Sequence, residues 1–175
     1  MSLTWRGTRP GEGEFNPYYG RYIDRVPEGD VVETLERQIA GTTGLLRSLP
    51  AEKHDHRYAP GKWSIKEVIG HLCDGERVFS YRALRFARGD ETPLPGFDEN
   101  LYAENANSAA RTLEDLTSEL EHLRLSTVRF FGGLDETAFT RRGTANNDAI
   151  SVRALAFIMA GHETHHLDLI RTRYL

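Results

Sequence analysis

The stretch from Leu113 to Phe130 restricts the architecture of this chain most, because Leu113, Leu116, Leu120, Leu123, Thr127 and Phe130 recur at alternating steps of three and four. That rhythm draws one apolar stripe along an α-helix, and it is the spacing with which helices pack on one another in bundles. A single helix gains little stability in water, so the stripe demands partners. Three other segments supply them. Val32, Leu35, Ile39, Thr42, Leu46 and Leu49 mark a helix from about Asp30 to Leu49, closed by Pro50. Ile65, Val68, Leu72, Phe79, Ala83 and Phe86 mark another, opened by a Ser64/Glu67 capping box and ended by Gly89. The Leu113 stripe belongs to a third helix, expected from about Asn107 to Phe131. Ser151 can cap a fourth that bears Val152, Leu155, Ile158, Met159 and Leu169.

Residues 89–105, "GDETPLPGFDENLYAEN", make a long connection between the second and third helices, and such connections are usually functional. "GGLDETAFTRRGTANNDAIS" reads as the next loop, and no β-run of useful length or internal repeat is present. The expected fold is all-α, a four-helix bundle with its long crossover between helices 2 and 3. Residues 1–29, rich in Gly and Pro, read as an extended N-terminal arm laid over a bundle domain of residues 30–175. A chain of 175 residues that is 39% hydrophobic suits one such domain.

A formal net charge of -4 offers no global attraction to nucleic acid or to an acidic membrane, and no stretch has the apolar length of a membrane span. Arg77, Arg82, Arg85 and Arg88 interleave with Phe79, Leu84 and Phe86, as on a solvated helix face; local attraction of an anionic substrate is the alternative. Cys73 is the only cysteine, so no internal disulfide can form, and a small buried core thiol is expected. The first residues carry charge and glycine where a signal peptide needs an apolar run, which predicts a cytoplasmic protein. No G-x-S-x-G elbow, P-loop or G-x-G-x-x-G occurs.

The chemistry concentrates in "GHETHH", residues 161–166, which holds three of the seven histidines. His162 and His166 lie about 40° apart around a helix and about 6 Å apart along it. They continue the Leu155–Met159 stripe, so both rings face the interior, where a polar group needs a partner. A divalent ion supplies one. Catalytic sites for zinc and similar ions use three protein ligands and leave a position open. His71, in register with Val68, Leu72 and Gly75, is the best third ligand, with room left by Gly70 and Gly75. His165 is an alternative to His166, while His54, His56 and His122 read as loop or surface residues.

His162 to His166 also spells H-E-x-x-H, the zinc-protease pattern. Only nine residues follow it, however, and Asp168, their sole carboxylate, lies roughly 200° around the helix from His166. Glu163 then remains as a supporting or proton-handling group, against a solvent or interhelix contact. Asp74, one turn beyond His71, could accept the free ring N–H of a ligand histidine, against an ordinary salt bridge.

"RYAPGKWSIKEVIGHLCDGERVFSYRALRFARGD", "PLPGFDENLYAE" and "SVRALAFIMAGHETHHLDLIR" together resemble the DinB/YfiT-like superfamily of metal-dependent enzymes, over most of residues 18–175. The resemblance implies a four-helix bundle with up-down-down-up connections and a divalent ion, zinc or nickel. Carried over by position, its ligands are His71, His162 and His166. It also implies a small-molecule substrate and a homodimer, since characterised members include low-molecular-weight thiol transferases and a mycothiol-dependent isomerase, others were named hydrolases, and many are dimers. The expected function is therefore a metal-dependent enzyme in which the ion activates a thiol (S-transferase) or water (hydrolase). A non-catalytic bundle with a structural metal or histidine cluster, acting in binding or dimerisation, is the competing expectation.

Overall fold

In the structure, a computed structural model, residues 4–175 are described. Four long helices carry the fold: α1 (Val31–Arg47), α2 (Ile65–Ala87), α3 (Leu113–Gly132) and α4 (Val152–Leu169). Each begins where a side chain satisfies the free amides of its first turn. Asp30 accepts from Val32 and Glu33, Thr112 from Asp115, and Ser151 from Ala154, while Ser64 and Glu67 complete both halves of the capping box. Both α1 and α2 pack against α3 and α4, so sequence neighbours α1 and α2 sit across the bundle from each other. The all-α bundle with its crossover between α2 and α3 is the architecture expected. No helix is long and apolar enough to cross a membrane among the described residues.

Three expectations need correction. The third helix starts at Leu113 rather than near Asn107, because Asn107 takes a left-handed conformation (φ 53°) and the Thr112 side chain sets the cap. The loop before α4 contains a hairpin, β1 (Arg142–Ala145) paired antiparallel with β2 (Asp148–Ser151). Its two-residue turn, Asn146 and Asn147, has φ of 53° and 66°, as a type I′ turn requires. Over its described residues, 4–29, the N-terminal arm is not extended, and residues 1–3 of that expectation lie outside the described residues. The arm folds into short turns and a helix at Gly20–Ile23, driven by burial of Tyr22, Ile23 and Val26.

Two glycines allow these additions to close on the bundle. A Cβ on Gly161 would stand 1.9 Å from the Tyr22 carbonyl oxygen, and one on Gly143 would stand 2.0 Å from the Phe86 ring. The first lets the arm lie directly on α4, and the second lets β1 lie on α2. The crossover is tied to the same hairpin, since Leu94 N–H donates to Thr144 O (2.9 Å) and Asn146 N–H donates to Leu94 O (3.0 Å).

The apolar core forms two clusters. A polar layer with one residue from each helix accompanies them: Thr42, Glu76, Arg124 and Glu163, all buried. Arg124 donates to both Glu76 oxygens (2.8 and 3.0 Å), to Glu163 and to Leu35 O, and Thr42 donates to the other Glu163 oxygen.

Candidate metal centre

His71 on α2 and His162 and His166 on α4 meet at one point. The Nε2 atoms of His71 and His162 are 2.9 Å apart and those of His162 and His166 3.1 Å, and one ligand atom from each ring lies within 4.8 Å of the others. Gly75 permits this approach, because a Cβ there would already touch the His162 ring at 3.3 Å. Trp63 lies 4.8 Å from His71 and Tyr22 5.2 Å from His162, centroid to centroid. Trp63 is itself fixed by its carbonyl, which accepts from the Tyr174 hydroxyl at 2.7 Å.

Burial decides the protonation of the three rings. Desolvation lowers His71 to about 4 and holds His162 and His166 well below the usual histidine range, with neighbouring imidazoles adding to the effect. Neutral imidazole is the form that binds a metal. A neutral ring has one N–H and one lone pair, so three clustered Nε2 atoms cannot all be satisfied by one another. His166 Nδ1 is buried and has no hydrogen-bond partner among the described residues, so the protein contacts do not fix the tautomer of this ring. This donor set fits a divalent ion taking three nitrogens.

The centre opens into a cleft of about 580 Å³. Its walls come from the arm (Tyr19, Tyr22), from α2 (Phe79, Arg82), from the crossover (Phe97, Glu99) and from the hairpin. The folded arm and the hairpin thus help to wall the cleft. Tyr22 is held as a neutral phenol, raised to about 12 by burial, and accepts from Arg21 at 2.8 Å.

Other sequence candidates fall elsewhere. His165 lines the cleft beside Tyr22 without joining the three-nitrogen group. Glu163 points away from the cleft and is engaged by Arg124 and Thr42, which makes it the interhelix contact. Asp74 lines a different groove, with Cys73, Arg77, Tyr102 and Arg111, because its face of α2 turns toward α3 and the crossover. Cys73 is buried as expected, and burial pushes its thiol up. Arg82 is buried against the cleft rather than solvated, whereas Arg77 and Arg85 pair at the surface with Glu119 and Asp90. Arg82's signal lay in its register, three turns beyond His71.

The sequence model of the DinB superfamily matches residues 34–170. The chain belongs to the DinB superfamily. A protein of Oceanobacillus iheyensis named "putative metal-dependent hydrolase" is 28% identical over 156 residues, covering 84% of this chain and 89% of that relative. Another of the same printed description, from Bacillus licheniformis, is 32% identical over 138 residues, covering 73% and 76%. Among solved structures, YfiT from Bacillus subtilis, titled "a probable metal-dependent hydrolase with an unusual four-helix bundle topology", superposes with a TM-score of 0.71. At 19% identity over 94% of this chain and 92% of that one, it bears on the fold alone.

Proposed function

We propose that this DinB-superfamily member is a metal-dependent enzyme whose divalent ion, zinc or nickel, is held by His71, His162 and His166. The observation that carries the reading is the convergence of three buried neutral imidazoles at the floor of a cleft. A bound ion would supply Lewis acidity, making a thiol or a water nucleophilic near neutral pH. The residues of the chain would orient the rings, exclude bulk water with Trp63, Tyr22 and Phe79, and hold substrate along the cleft.

Thiol transfer is the reading we favour. Water-dependent hydrolysis generally needs a nearby group to move protons. Glu163 is occupied by Arg124 and Thr42 and Asp74 lines another groove, which leaves that work to the cleft-wall residues Glu99, Asp148 and His165, none of them hydrogen-bonded to the three rings among the described residues. A thiol of lowered pKa needs less proton traffic. The names of the relatives support hydrolysis as the second reading.

Metal-loaded protein offered a panel of low-molecular-weight thiols with a generic electrophile, beside an ester and amide panel, separates the two. Turnover only in the first set supports transfer, turnover only in the second supports hydrolysis, and none in either refutes both. His71→Ala is expected to stay folded and to lose bound metal by elemental analysis, together with activity. A stable His71→Ala protein that retains one tightly bound ion would refute the ligand set.

A further inference from the structure

Arg82 is a buried cation that no described residue neutralises. It is 4% exposed, its Nη2 donates to Pro95 O (2.7 Å), and no carboxylate forms an ion pair with it among the described residues. The groups that act on it are phenols, chiefly Tyr19, and burial weakens its hold on the proton. A buried charge without a counter-charge is costly and is rarely kept without a use.

Its position supplies the use. Arg82 lines the same cleft as the histidines. It lies three helical turns from His71 on nearly the same face of α2, about 16 Å along the axis. Between them the floor is aromatic: the Phe79 ring is 6.0 Å from His162 and 6.4 Å from Tyr19. Phe97 flanks the guanidinium at 5.8 Å. The cleft therefore runs from a nucleophile-activating end, across apolar rings, to the buried guanidinium of Arg82, while its other arginine, Arg21, is engaged by the Tyr18 and Tyr22 hydroxyls.

We propose that Arg82, assisted by the Tyr19 hydroxyl, seats a carboxylate of the substrate, so that the enzyme acts on elongated organic acids with an apolar middle. A guanidinium edge and a neutral phenol match a planar monoanion. A phosphate dianion fits less well, because Glu99 and Asp148 line the same cleft. The proposal rests on the metal-centre reading only for where reaction occurs; the anion seat itself needs no metal.

The test is direct binding at pH 7.5, read by Trp63 fluorescence and calorimetry, with 4-phenylbutanoate, its neutral amide and 3-phenylpropylphosphonate as probes. Metal-free and zinc-loaded protein are compared. Both forms are expected to bind the acid at least tenfold more tightly than the amide. Arg82→Met should abolish that ratio and leave amide binding unchanged, Tyr19→Phe should reduce it, and Arg21→Ala should leave it intact. Equal acid and amide affinity in the unaltered protein overturns the proposal whatever the variants do. A preference lost with Arg21→Ala and kept in Arg82→Met also overturns it. Tighter phosphonate than carboxylate binding overturns the carboxylate assignment. A preference seen only with zinc places the anion on the metal and refutes the Arg82 seat, whereas failure of the metal centre alone would leave the metal-free result standing.

Discussion

Replacing Arg124 with Met is expected to be among the most destabilising single changes in the bundle. Arg124 is 1% exposed and joins Glu76 on α2 to Glu163 on α4 while also reaching Leu35 O on α1. Burial opposes its charge, but the two carboxylates more than offset that, and the guanidinium is held above its ordinary pKa. Met fills similar volume and packs acceptably, so the loss is not mainly a cavity. What remains is two buried carboxylates without a cation, and breaking a buried ion pair from one side costs about 3–5 kcal/mol. For a domain of this size that corresponds to a fall in Tm of about 6–20 °C, at about 2–4 °C per kcal/mol. Urea unfolding of metal-free protein at pH 7.5 measures it without contribution from ligand binding. Arg124→Met combined with Glu76→Gln and Glu163→Gln should recover much of the loss, since no uncompensated charge is then buried. A loss below about 1 kcal/mol for Arg124→Met alone, or a triple variant no more stable than the single, would refute the charge-balance reasoning.

Acidification should destabilise the metal-free protein. The fold lowers His71 to about 4 and His162 and His166 well below their usual value, so the unfolded chain binds the extra protons. This stability is fully present above about pH 6.5 and falls as pH drops toward 4, at up to about 4 kcal/mol per pH unit if all three rings act together. Denaturant midpoints at pH 7.5, 6 and 5 test the sign, and a midpoint that rises on acidification contradicts it. Gly161→Ala places a methyl 1.9 Å from the Tyr22 carbonyl and must push the arm off α4. An overpacking cost of about 1–3 kcal/mol is expected, with faster proteolysis around residues 20–29; unchanged proteolysis would show that the arm does not depend on that contact.

The bundle was legible because its determinants are local. Capping side chains and three- and four-residue apolar steps lie within a few positions of each other, and Ser64 and Ser151 cap as read. The early start assigned to the third helix arose because Asn107–Arg111 holds no strong helix breaker, and Thr112, an equally good cap, decides the boundary by bonding Asp115. The hairpin had a readable signal in the Asn146–Asn147 turn, but its strands are four residues each and depend on Gly143 fitting beneath Phe86. The histidine cluster could be foreseen, since helical register alone puts His162 and His166 on one inward face. The cleft could not, because its walls are brought together by tertiary contacts: the arm through Gly161, and the crossover through Leu94 on the hairpin.

Glu163 shows most clearly how one motif serves the fold and the site together. Successive residues on a helix point about 100° apart. On α4, His162 therefore turns toward α2 and the centre, while Glu163 turns toward α3 and α1, where Arg124 and Thr42 hold it. Those bonds fix the rotation of α4 about its own axis, and that rotation decides whether His162 and His166 aim at His71. A one-residue slip of α4 would bury Thr164 or His162 against Arg124 and scatter the three nitrogens at once. The acidic residue that looks like a protease base in the sequence is thus a register pin, and its influence on the metal centre runs through the orientation of a helix.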